Sequence, residues 1–226
     1  EVSKSLLTFE TGKVSYKVDV EEAGFYHIEL SYFAYSGKGS QIERRIYLNG
    51  EVPFEAASQL VFNRYYGRDG EVYQDYLGND IRPSQVEKPV WTNSYIKDAI
   101  GYINEPFLFY FEEGENIIEL ESLREPLLLE KIVVESIESV KTYEEVLSVY
   151  QANNYKVVNA PIEFIQAEDA VRTTAPTLYA LNDRTSQNTM PSHPKLIKLN
   201  TIGGTNWGTA GDYITWEFNV PETGLY

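Results

Sequence analysis

Apolar and polar residues alternate with a period of two over Val14-Ser15-Tyr16-Lys17-Val18-Asp19-Val20, and again over residues 25–33. That period places one apolar edge on a sheet face and predicts two half-buried strands. Glu22-Ala23-Gly24 separates them, and its glycine suits a turn position of positive φ. The pair reads as an outgoing strand, a short turn and a returning strand. Arg45-Ile46-Tyr47-Leu48 runs into Asn49-Gly50 and then Val52-Pro53-Phe54, a hairpin pattern. Phe107-Leu108-Phe109-Tyr110-Phe111 and Asn116-Ile117-Ile118-Glu119-Leu120 flank Glu113-Gly114 as a second hairpin. Leu127 to Glu135 is apolar enough to lie between two packed layers. Short strands joined by tight turns predict an all-β sandwich.

Residues 63–105 break this rhythm. They are rich in Gly, Asn, Asp, Pro and aromatic residues and show little periodicity. A connection of that length is functional or disordered, and its aromatic content argues against disorder. Further on, Thr142 and Glu145 have the spacing of a capping box, in which each side chain satisfies an orphan N–H at a helix start. Tyr143, Val146, Leu147 and Tyr150 follow at i, i+3, i+4 and i+7 on one face, and Asn153-Asn154 ends the pattern. This predicts a linker helix docked by its apolar stripe. Ile162 to Glu168 alternates as a strand, and Thr173 to Trp207 is a polar segment without a core pattern, expected to wrap a surface.

Val14–Tyr26 and Ile214–Tyr226 can be superposed as sequences. Val, Glu, Gly and Tyr recur at an offset of 200 residues (220 − 20), and Tyr16 meets Trp216. The same strand–turn–strand register in both stretches implies tandem modules of about 200 residues each, too long a period for a solenoid. The chain then divides into a β-sandwich module lacking its opening strand (1–138), a helical linker (139–160) and the start of a truncated second copy (161–226). The last part either stands apart or adds strands to the first sandwich. An unpaired strand at 213–220 would be an exposed edge, so it is expected to pack on the first copy or on a second molecule.

The formal charge of −15 repels phosphate backbones and removes nucleic acid as a partner. The absence of cysteine excludes disulfides, thiolate metal sites and thiol nucleophiles, and leaves the redox compartment open. No stretch reaches the ~20 apolar residues of a membrane span. The chain opens at Glu1 without a signal peptide and reads as an excised piece of a larger protein. Eighteen tyrosines against one methionine favour β structure.

Candidate chemistry concentrates in the long connection, in Arg64, Tyr65, Tyr66, Asp69, Tyr73, Tyr76, Trp91, Tyr95, Asp98 and Tyr102. Sugar rings offer apolar faces to aromatic side chains and polar rims to Asp and Arg. The same residue types form protein-binding hot spots, or a satellite core that pins the loop. Trp91 and Tyr66 are the preferred platforms. Arg44 and Arg45 are strand neighbours and point to opposite faces; one is expected to pair with a carboxylate, leaving the other for a ligand. His193 with Asp183 lacks a Gly-x-Ser-x-Gly elbow. Glu112-Glu113 and Glu144-Glu145 belong to a turn and a helix start, and Gly203-Gly204 opens no helix pattern. The residues therefore compose no active site, and a non-catalytic module is expected.

Ile165-Gln166-Ala167-Glu168-Asp169-Ala170 resembles the opening strand of family 6 and family 35 carbohydrate-binding modules, and Gly211-Asp212-Tyr213-Ile214-Thr215-Trp216-Glu217-Phe218-Asn219-Val220-Pro221 resembles the strand that follows it. Leu199 to Gly204 and Arg44 to Phe54 are similar to galactose-binding-like modules of bacterial extracellular solute-binding lipoproteins. The resemblance implies a jelly-roll sandwich that binds a glycan or oligosaccharide without cleaving it, at the cell surface or outside the cell. With that expectation, the binding set taken from the long connection is Arg64, Tyr65, Tyr66, Asp69, Trp91, Tyr95, Asp98 and Tyr102. Such modules often hold a structural calcium through opening-strand glutamates; here Gln166 replaces the first and Glu168 matches the second. The alternative is a structural spacer that contacts a neighbouring domain of the same polypeptide.

Overall fold

The structure, a computed structural model, describes residues 4–137, 139–160 and 163–226. Five strands open the chain: β1 (Leu6–Thr8), β2 (Lys13–Val20), β3 (Gly24–Ala34), β4 (Ile42–Leu48) and β5 (Leu60–Phe62). The long connection holds β6 (Tyr66–Arg68), β7 (Tyr73–Gln74), β8 (Asp80–Ile81) and β9 (Gln85–Glu87). Then come β10 (Trp91–Tyr95), β11 (Phe109–Phe111), β12 (Gly114–Arg124) and β13 (Leu127–Ser136). Helix α1 (Tyr143–Ala152) precedes β14 (Arg172–Thr173), β15 (Ala180–Leu181), β16 (Thr201–Ile202) and β17 (Ile214–Thr215).

Two antiparallel sheets form a sandwich. One runs β1-β13-β3-β10, with β11 also paired to β3; the other runs β2-β12-β4-β5. The alternation read from sequence sets their inner faces. Ile28, Leu30, Tyr32 and Ala34 of β3 face Ile42, Ile46 and Leu48 of β4 and Ile118 and Leu120 of β12 in one buried cluster, which Phe109, Phe111, Leu127 and Leu129 complete. Each large side chain buried this way stabilises the fold by about 1.5–3 kcal/mol.

The turn signals mark strand ends correctly but lead elsewhere than expected. Glu22-Ala23-Gly24 does not close a hairpin: β2 lies in one sheet and β3 in the other. Glu113-Gly114 likewise carries the chain across the sandwich, from β11 on β3 to β12 between β2 and β4. Asn116, fully buried, secures that crossing; its side chain accepts from the Glu112 N–H at 3.2 Å and donates to the Glu112 carbonyl at 2.7 Å. Apolar stripes on both flanking strands must reach a common core, and an arch between layers achieves this as well as a hairpin does. Asn49 and Gly50 do form the tight turn, with φ of 53° and 89°. The chain leaves after the Leu48–Glu51 bridge, because Pro53 has no N–H to continue a ladder.

The capping box of α1 is present, with Thr142 Oγ1 accepting from Glu145 N–H and Glu145 accepting from Thr142 N–H. The docked stripe is not: no residue of α1 is buried, and Tyr143 is exposed. Tyr150 instead meets Tyr155 at 6.0 Å. The expected boundaries at Glu138 and Pro161, and the strand start at Ile162, lie outside the described residues. Residues 163–166 form no strand, and Ala167–Asp169 is a single 3-10 turn.

The C-terminal segment joins the long connection rather than standing apart. β14 pairs with β17 on one side and with β6 on the other, and β6 pairs with β9, giving a sheet β17-β14-β6-β9. Hairpin β7–β8 is fastened to the same segment: the Asp80 carboxylate accepts from Lys198 Nζ at 2.9 Å and from Leu199 N–H, and Asn79 Oδ1 accepts from Ile197 N–H. Leu178, Ala180 and Leu199 are buried in this segment.

Candidate functional site

Arg64 is a structural clamp. It is 4% exposed, and its guanidinium donates to the Ser40 and Tyr35 carbonyls, to Glu87 at 2.5 Å and to Glu125 at 2.8 Å. Glu125 is as deeply buried, accepts also from the N–H groups of Lys38 and Ser40, and adopts a positive φ of 62°. A non-glycine residue in that region is strained, so the pair with Arg64 holds it. This knot ties the 36–40 turn, the long connection and the β12–β13 corner together. Arg64 was expected to face a ligand; its donors are taken up inside the protein. Arg44 is likewise internal, donating to the Glu43 and Arg124 carbonyls and to Thr8 Oγ1, and burial lowers its pKa to about 10. Its neighbour Arg45 meets Glu121 at 3.2 Å on the outer face.

The solvent face of the β3 sheet carries an aromatic track. Register places Trp91 opposite Phe33, Asn93 opposite Ser31 and Tyr95 opposite Glu29 on β10 and β3. On the other side of β3, Lys131, Val133 and Glu135 stand opposite Ser31, Glu29 and His27. The rings meet in pairs: Trp91 with Phe33 at 5.5 Å, Tyr95 with His27 at 5.8 Å and Phe25 with Tyr110 at 5.4 Å. From Phe33 to Phe25 the track spans roughly 27 Å at the rise of an extended strand. Trp91 is 48% exposed and Phe25 56%, so both rings are open to solvent in part. Polar groups interleave: the Tyr95 hydroxyl donates to Glu135 at 2.6 Å and Ser31 donates to Glu130 at 2.9 Å. The rings are thereby held in place without occupying the whole face.

A cleft of about 340 Å³ lies at the seam between the end of the sandwich and the C-terminal segment. Arg64, Tyr66, Tyr95 and Asp98 line it, together with Thr174, Asn206 and Asp212 from the far side. The Asp98 carboxylate accepts from the N–H groups of Ile100, Ile103 and Tyr102, which hold it below the usual carboxylate range. Burial, and then the charge of Glu87, pushes the Tyr66 hydroxyl pKa up. Tyr66 therefore stays a neutral donor.

The expected set is thus divided. Trp91 and Tyr95 are on the aromatic track; Arg64, Tyr66, Tyr95 and Asp98 border the cleft. Tyr65 is half-buried and gives its carbonyl to Lys88 N–H, and Asp69 is exposed with its N–H bonded to the Ser84 carbonyl. Tyr102 is 87% exposed at the tip beyond Asp98. Tyr73 and Tyr76 are exposed on and beside the β7–β8 hairpin. The expected set lacks Phe25, His27, Phe33 and Tyr110, although their alternation with the core-facing Ile28, Leu30, Tyr32, Phe109 and Phe111 already puts them outward. It also lacks Thr174, Asn206 and Asp212, for which only the folded chain supplies proximity. His193 Nδ1 accepts from Lys195 and Leu196 N–H, and Asp183 accepts from Thr185, so neither addresses the other.

Glu168 does not fit the calcium expected of it. Its Oε2 and Gln85 Oε1 are buried without a hydrogen-bond partner, and both residues border a cavity of about 20 Å³, room for one water molecule. Burial, reinforced by the charge of Asp169, raises its pKa. Arg68, Arg82 and Arg172 line the same cavity. One carboxylate among three guanidinium-bearing residues is a poor host for a divalent cation that needs six to eight oxygen ligands, and among the described residues no three Asp, Glu, His or Cys side chains gather as a metal set. No helix among the described residues is long and apolar enough to cross a membrane. No family model matches the chain, and no curated protein matches it in sequence.

Proposed function

We propose that the protein is a non-catalytic carbohydrate-binding module of a secreted or cell-surface bacterial protein concerned with sugar capture, built on a jelly-roll sandwich. Strand order supports the topology. With β10 and β11 counted as one interrupted sixth strand, the sandwich strands run 1-8-3-6 and 2-7-4-5 in the two sheets, the arrangement of a double-sheet jelly roll. The observation that carries the function is the aromatic track: the exposed rings of Trp91, Tyr95, Phe25 and Tyr110, backed by half-buried Phe33 and His27, spaced along one sheet face with Asn93, Glu29 and Glu135 between them. Ring faces stack on the apolar faces of pyranoses, and the interleaved polar groups meet hydroxyls.

Isothermal titration with soluble neutral polysaccharides tests this. Trp91→Ala and Tyr95→Ala should each weaken binding about tenfold, the effect of ~1.4 kcal/mol, with the melting temperature nearly unchanged. Binding that ignores both substitutions would remove the track from the function. A second reading, a spacer contacting a neighbouring domain, is favoured by the apolar tip of Ile100, Tyr102 and Ile103, all half or more exposed. It predicts no retention by any glycan and a loss of domain association in Tyr102→Ser.

A further inference from the structure

We propose that the seam cleft is a second binding site, meeting the aromatic track at Tyr95, that takes a single uncharged, polyhydroxylated ring and is completed by the C-terminal segment. The ligand's being a sugar rests on the carbohydrate reading; the site itself rests on its own geometry. Its floor is the end of the main core, where Phe62 and Ile96 are buried and Tyr32 packs edge-on to Phe62 at 5.2 Å. Its rim is polar and comes from two stretches of chain more than a hundred residues apart, Tyr66 and Asp98 on one side and Asn206 and Asp212 on the other. An apolar floor under a polar rim suits a molecule with an apolar face and hydroxylated edges. A volume of about 340 Å³ is near the small end of ligand sites and admits one ring rather than a chain.

The rim is fixed before any ligand arrives. Arg64 beneath it is tied by the buried knot to Glu125. Asp98 is set by three backbone N–H groups. Asp212 Oδ1 accepts from Thr174 Oγ1 at 3.2 Å, and that hydroxyl accepts from Tyr213 N–H at 2.8 Å. The two walls also touch: Gly101 lies so close to Ala210 that a Cβ there would come within 2.2 Å of the alanine methyl. A site organised in this way loses little freedom on binding.

Charge selects the class. Two carboxylates, Asp98 and Asp212, line the cleft with two cations: Arg64, engaged by Glu87 and Glu125, and Lys97, which is hydrogen-bonded to the Tyr213 hydroxyl and lies 4.8 Å from its ring centre. With both cations engaged inside the protein, the two carboxylates make the rim oppose anions, as does the net charge of −15. Hydroxyl donors on an uncharged ring satisfy it; a uronate does not.

Amide chemical-shift titration of the whole chain with D-glucose, D-galactose, D-xylose and D-glucuronate tests the proposal. At least one neutral sugar should give saturable shifts at Ala99, Gly211 and Asp212, and glucuronate should bind at least tenfold more weakly. Asp212→Asn and Tyr66→Ala should each reduce neutral-sugar affinity at least fivefold while Trp91→Ala leaves it unchanged. The proposal is overturned if no sugar saturates, if glucuronate binds as well, or if Asp212→Asn has no effect. Loss of polysaccharide binding in Trp91→Ala with single-sugar binding intact supports both sites; polysaccharide binding that survives Trp91→Ala discredits only the track.

Discussion

Glu125 carries more of the structure than its sequence context suggests. It is a buried carboxylate with a positive φ, held by Arg64 and two backbone N–H groups. Glu125→Gln keeps the shape and leaves the Arg64 cation with Glu87 as its remaining carboxylate. Breaking a buried pair outright costs about 3–5 kcal/mol; with Glu87 still in place, urea unfolding should show a smaller loss, about 1–3 kcal/mol. Asp80 is more exposed to titration. Burial alone would raise its pKa, but hydrogen bonds from Lys198, Gln74 and Leu199 N–H outweigh it and the value is lowered. A lowered carboxylate pKa contributes stability that is present above the unfolded value near 4 and disappears as pH falls through the folded value. The urea midpoint should therefore fall between pH 6 and pH 3 more in the wild type than in Asp80→Asn. Sequence gave no means of separating Arg64 from a ligand-facing arginine. Its partner Glu125 is 61 positions away, and no local pattern marks such a pair.

Strands and helix starts were legible because their signals are local. Period-two alternation located β2 and β3, the Glu113-Gly114 turn signal located β12, and Thr142 with Glu145 located the first turn of α1. What alternation does not encode is the sheet a strand enters. Gly24 and Gly114 sit at ends where the chain changes layer, and a tight turn and an arch use similar residues. The polar stretch from Thr173 to Trp207 was equally opaque, since β14, β15 and β16 are two residues each and owe their existence to distant partners. Gly67 of β6 shows how close those partners come: a Cβ there would lie 2.8 Å from the Val171 carbonyl. Gly67→Val should pry β14 from β6. Limited proteolysis should then cut within 163–226 far faster than in the wild type, while the sandwich strands keep their hydrogen-exchange protection.

At the scale of the whole molecule, the two candidate surfaces depend on different parts of the chain. The aromatic track belongs to the sandwich alone, so its rings were readable as soon as strand parity was known. The cleft needs Tyr66 and Asp98 from one segment and Asn206 and Asp212 from another, and nothing short of the folded chain puts them together. Tertiary contacts run across the linker helix, since β14 pairs with β6.

The pairing of Thr173 with Tyr66 also bears on how such a protein can be inherited. Recombination tends to be tolerated where few contacts are severed, and the solvent-facing helix between the halves looks like such a place. A crossover there would hand one descendant a β6 without its neighbour and the other a β14 without its own. The heritable unit is then the pair of segments, and variation at Tyr66 and Thr173 should be coupled across the helix that separates them.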